Sequence, residues 1–122
     1  MARWEMFLQA YVRADGYDRA FDVARDLIAV VAREARVTQC RVNPYYKFED
    51  QYGVMLLLEA DDMPAAWTRL QTNLAEPWHV GGDETDRHAI WDVRMGSPCV
   101  VSDARWLNLE LFGGARPDDE EA

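Results

Sequence analysis

Two histidines, His79 and His88, stand nine residues apart and flank three carboxylates, Asp83, Glu84 and Asp86. Imidazole nitrogen and carboxylate oxygen together can hold zinc or another divalent ion. The spacing, however, matches no helix-borne ligand pair and no tight ligand loop, so no metal site is expected. Nucleophilic catalysis needs a thiol or hydroxyl within hydrogen-bond reach of a base. Cys40 and Cys99 lie beside apolar residues in strand-like text, with no second Cys two or three positions away. Both read as reduced, buried thiols that behave as small hydrophobes. Ser97 and Ser102 lack the Gly-x-Ser-x-Gly setting of a nucleophile elbow. Asp61-Asp62 offers a carboxylate pair for acid–base work, but Pro64 follows, and a helix cap explains the pair. Gly81-Gly82 and Gly113-Gly114 have no P-loop lysine downstream, and the acids after the first pair repel phosphate. The expectation is a protein that is not an enzyme, with no catalytic residue, cofactor or metal.

What remains are side chains suited to contact. Residues 1–48 carry a net charge of +2, residues 49–92 carry −8 and residues 93–122 carry −3. The acidity gathers in two places rich in aromatic rings. One is Asp83, Glu84 and Asp86, with Trp78 and His79 leading in; the other is Glu49 and Asp50, beside Tyr45, Tyr46, Phe48 and Tyr52. Rings give rigid contact area, and carboxylates steer a basic partner and speed encounter. The candidate partner-binding residues are therefore Trp78, Asp83, Glu84, Asp86, Tyr45, Tyr46, Glu49 and Asp50. Of the five tryptophans, Trp4, Trp67 and Trp91 fit core positions, whereas Trp78 and Trp106 do not fall clearly inward.

The elements that must position these residues follow from periodicity. Residues 4–13 alternate as a strand, with Trp4, Met6, Leu8, Ala10 and Val12 on one face. Asp15 can cap a helix over residues 17–35, which buries Phe21, Ala24, Leu27/Ile28, Val31 and Ala35. Residues 37–46 and 52–60 read as two strands joined by a tip at residues 47–51. The apolar run at residues 54–58 predicts a strand covered on both faces. A second helix over residues 64–75 buries Trp67, Leu70 and Leu74. Residues 77–87 read as a loop, residues 88–94 as a fourth strand and residues 106–112 as a fifth. The fold class is thus α+β. It is a ferredoxin-like split βαβ, β-α-β-β-α-β, with an extra C-terminal strand, and its antiparallel sheet has two helices on one face. Residues 1–112 form a single domain, and the acidic residues 113–122 form a disordered tail.

The chain has 122 residues and a net charge of −9. That balance argues against direct binding of nucleic acid, which needs a basic surface, and against docking on an anionic membrane. The longest apolar stretches fall far short of the ~20 residues that span a bilayer. No charged region followed by an apolar run marks a signal peptide. A cytoplasmic location is expected.

The turn MGSPCVV followed by the strand SDARWLNLELF resembles the C-terminal stretch of small bacterial immunity proteins, which neutralise polymorphic or contact-dependent toxins. The acidic character and the richness in Trp and Tyr are similar too. The resemblance implies an immunity protein that binds and inhibits a cognate toxin domain; either a monomer or a homodimer is expected. A nuclease with a basic, phosphate-holding cleft suits an acidic inhibitor. The alternative is a ferredoxin-like dimeric small-molecule-binding domain, or an enzyme like the cofactor-free monooxygenases, favoured by strand text such as Trp4, Met6 and Tyr11.

Overall fold

The computed structural model describes residues 3–113, so residues 114–122 of the expected tail lie outside the described residues. Strand β1 (Trp4–Arg13) buries Met6, Leu8, Ala10 and Val12 in strict alternation. Helix α1 (Tyr17–Val31) starts at Gly16, with no side-chain cap from Asp15, and buries Ala20, Val23, Ala24, Leu27, Val30 and Val31. Ala24, Leu27, Val31 and Ala35 of the expected stripe are buried, but Phe21 is 49% exposed and stacks on Tyr17, its place on the core side taken by Ala20 and Val23.

Strands β2 (Arg36–Pro44) and β3 (Gln51–Glu59) form the expected hairpin. Strand β3 is not covered on both faces. Val54, Leu56 and Leu58 are buried, while Leu57 between them is 40% exposed. Helix α2 (Met63–Leu74) begins as the sequence predicts. The Asp62 carboxylate accepts the Ala65 N–H at 3.1 Å, and Trp67, Leu70 and Leu74 are buried. The Trp67 indole N–H donates to the Leu109 carbonyl at 3.0 Å, fixing the helix to the sheet.

The second half departs from the expected plan. Residues 77–87 are not a plain loop but contain strand β4 (His79–Gly82), which pairs with β5 (Asp86–Asp92). Gly82 takes φ +98 at the turn, and Asp83 builds that turn by accepting from Thr85 N, Thr85 Oγ1 and Asp86 N at 2.8–3.0 Å. Strand β6 (Ala104–Gly113) then pairs with both β5 and β1. The result is an α+β fold with one six-stranded antiparallel sheet in the order β2-β3-β1-β6-β5-β4. The last strand is no peripheral addition. It takes the place beside β1 that the expected plan gave to the fourth strand, and the β4–β5 hairpin lies outside it. Residues 100 and 101 form no strand: Val101 is buried, and Val100 N donates to the Leu74 carbonyl at 2.8 Å.

Both helices pack their apolar stripes on the same side of the sheet, and one core joins Leu8, Leu56, Leu109, Ala89 and Trp91 to Leu27, Leu70 and Leu74. The opposite face carries no helix. Its cross-strand rows are Arg41–Met55–Gln9–Asn108–Ile90–His79 and Gln39–Leu57–Phe7–Glu110–His88–Gly81. No described helix is long and apolar enough to cross a membrane.

Candidate functional site

The uncovered face ends in an aromatic wall. Strand β1 brings Tyr11 to this end, opposite Gly53 on β3 and Trp106 on β6. The Tyr11 ring packs over Gly53, where an added Cβ would stand in ordinary contact with it at 3.5 Å. The β2–β3 turn folds back so that Tyr45 stacks on Tyr11, with centroids 4.0 Å apart and planes at 14°. Trp106 lies 5.2 Å from Tyr11 on the other side, and Tyr46 and Phe48 meet Tyr45 edge-on at 5.4 and 5.8 Å. Such offset and edge-on pairs are the favourable geometries for aromatic rings, each adding ~1 kcal/mol beyond the area they bury. The turn is thereby stiffened, yet Tyr46 stays 87% exposed and Phe48 51% exposed.

Between this wall and the segment after β5 lies an open cleft of about 530 Å³, lined by Tyr11, Tyr45, Phe48, Trp106, Arg94 and Arg105 among others. Burial, with smaller pushes from Tyr45 and Tyr46 and an opposing pull from Lys47, raises the Tyr11 phenol above its ordinary value. It therefore stays protonated at neutral pH. Arg94 is held by Asp92, which accepts from its Nη2 at 2.8 Å and its Nε at 3.1 and 3.2 Å. That hydrogen bonding lowers the Asp92 carboxyl below its usual range. Arg105, half-buried, makes no ion pair or hydrogen bond among the described residues.

The register explains how Arg105 gets there. Tyr11 pairs with Trp106 and Val12 with Ala104, so Arg105 is the extra residue of a β-bulge. Without the bulge, the alternation that buries Leu107, Leu109 and Leu111 would send residue 105 into the core. A bulge of this kind redirects a side chain and is common beside functional sites.

The expected partner-binding residues divide into two groups. Tyr45, Tyr46, Glu49 and Asp50 share the β2–β3 turn, at the Arg13 end of β1. Asp83 and Glu84 sit on the β4–β5 turn and Asp86 begins β5; Gly113 N pins this turn by donating to Thr85 O at 2.8 Å, at the Trp4 end of β1. The length of β1, ~30 Å at 3.3 Å per residue, separates them, so they form no single patch. Asp83 is engaged in its own turn. Trp78 is half-buried against the core, and its indole N–H donates to Gln71 O at 2.9 Å and Ala75 O at 2.6 Å, closing the C-terminal end of α2. Asp86 stands beside Glu110. Burial first, and then the Asp86 carboxylate, raise the Glu110 carboxyl above its ordinary value, against opposing pulls from Asn108 and His88.

Other sequence candidates fall elsewhere. His79 and His88 lie on neighbouring strands, with the His88 ring over Gly81. Among the described residues, no three His, Cys, Asp or Glu side chains gather to hold a metal ion. Cys99 is buried as expected, but Cys40 is exposed on the edge strand β2. Sequence reasoning missed Arg105. Its signal was the clean alternation of residues 107–111, which places an arginine on the core face when extended backwards.

No family model matches the chain, and no curated protein or solved structure matches it either.

Proposed function

We propose that this protein acts by binding, as a cytoplasmic immunity protein that holds and inhibits a bacterial toxin domain with a basic surface. One observation carries the reading: the β2–β3 turn presents Tyr46 almost fully to solvent on a base of stacked rings, with Glu49 and Asp50 exposed beside it. Large exposed aromatic side chains of this kind dominate interface energetics. The neighbouring carboxylates suit a basic rim on the partner. The overall charge of −9 favours fast encounter with a basic nuclease domain. In this reading the chain β1-α1-β2-β3-α2-β6 keeps the ferredoxin-like plan, with the β4–β5 hairpin inserted before its last strand.

The test is co-expression with candidate toxin domains from the same genome. Wild-type protein restores growth against one of them and binds it more weakly as salt rises. Tyr46→Ala combined with Glu49→Lys and Asp50→Lys lowers affinity by about 30-fold or more, the loss of a single hot spot. Protection that survives all three substitutions refutes the turn as the binding element. Failure of every toxin domain to bind at low salt refutes the immunity role. A second reading, a small-molecule-binding domain, is favoured by the 530 Å³ cleft, whose volume lies within the range of ligand pockets.

A further inference from the structure

The cleft beside the aromatic wall holds a positive charge that no described residue answers. Of its two arginines, Arg94 is neutralised by three hydrogen bonds to Asp92. Arg105 has no partner among the described residues, and a β-bulge turns it out of the core into a half-buried position on the cleft wall. The guanidinium is planar, always charged and matched to a carboxylate in a two-point fork. Beside it stand the Trp106 indole and the Tyr11–Tyr45 stack, flat surfaces that accept another flat ring. We propose that this cleft binds a planar aromatic carboxylic acid, with the carboxylate on Arg105 and the ring against Trp106 and Tyr45.

The proposal rests on the small-molecule reading above; it shares Tyr45 with the toxin reading, whose exposed residues Tyr46, Glu49 and Asp50 do not line this cleft. Arg105 supplies the charge discrimination and the rings supply shape. A neutral aromatic of the same outline therefore binds more weakly, and an aromatic cation is rejected.

The experiment titrates the full chain with 2-naphthoate and, separately, with uncharged 2-naphthamide, following backbone and indole NMR signals. Naphthoate should bind about tenfold more tightly than the amide, as expected for a hydrogen bond to a charged group. It should shift the Trp106 indole signal. Arg105→Gln should bring naphthoate down to the level of the amide while leaving the melting temperature unchanged, because the Arg105 side chain has no ion pair or hydrogen bond among the described residues. Equal binding of acid and amide overturns the assigned ligand class but leaves a ligand cleft standing. No binding of either at millimolar concentration overturns the cleft as a ligand site. A peptide arm separates the source of the chemistry. If Gly-Gly-Phe with a free C-terminus binds and naphthoate does not, the occupant is a chain end and the free acid is refuted.

Discussion

Alanine at Gly82 and alanine at Gly81, neighbours in strand β4, should have very different effects. At Gly82 a Cβ would stand 2.0 Å from the Asp86 carbonyl oxygen, and the backbone holds φ +98. An L side chain in such a left-handed conformation costs ~1–2 kcal/mol. Relieving the contact means opening the turn, with loss of the 2.9 Å bond from Asp83 N to Asp86 O, worth ~1 kcal/mol. Together the cost is ~2–3 kcal/mol, which lowers the melting temperature of a domain this size by roughly 10 °C. At Gly81 the φ is ordinary, and the Cβ would meet the His88 Nε2 at 2.8 Å. That half-exposed imidazole can swing aside, so the cost stays below ~1 kcal/mol. Thermal unfolding of both variants by far-UV circular dichroism, in one buffer, is the assay. If Gly82→Ala melts within about 2 °C of Gly81→Ala, the β4–β5 hairpin described above is wrong.

Glu110→Gln should stabilise the protein at neutral pH. The folded carboxyl titrates above the ordinary value of 4.5, so the folded state binds more protons than the unfolded one, and stability falls as pH rises through that window. Removing the like charge beside Asp86 gains ~0.5 kcal/mol at pH 7, read as a higher urea midpoint that vanishes at pH 3; a lower midpoint at pH 7 contradicts the reasoning. In native buffer one thiol per chain, that of Cys40, should react with a disulfide reagent, and two in urea. Partial burial raises the Cys40 thiol above its ordinary value, so its labelling should quicken at alkaline pH; two fast native thiols would show Cys99 open. Trp67→Phe removes the bond to the Leu109 carbonyl and part of a buried ring, and should cost ~1–3 kcal/mol in urea unfolding. A loss below ~0.5 kcal/mol would mean that the carbonyl finds another donor.

Where a single physical rule governs, the sequence is legible. Alternation in β1 and the Asp62 cap of α2 both appear as their residues predict. The misreadings come from tertiary context. Gly81-Gly82 reads as a breaker, but one glycine gives room to His88 and the other makes a hairpin turn. Met55 and Leu57 read as buried, but they line a sheet face that no helix covers. The site was half visible. Tyr45 and Tyr46 stand out by type, whereas the cleft depends on Tyr11, Trp106 and Arg105, which come together only through strand order and a bulge. No spacing along the chain encodes the pairing of residue 11 with residue 106.

The position of β6 between β1 and β5 sets the order in which the molecule can be completed. During synthesis β1 leaves the ribosome well before β6 and keeps one edge bare until residues 104–113 arrive, since Trp4 pairs with Gly113. The β4–β5 hairpin is likewise joined to the rest of the sheet only through β6. Closing a loop of this span costs entropy before any contact is gained, which slows folding. The nascent chain therefore carries two incomplete half-sheets with apolar faces and open edges, and one late strand converts them together into a single cooperative unit. In that interval the chain shows the unpaired strand edges that finished sheets avoid exposing.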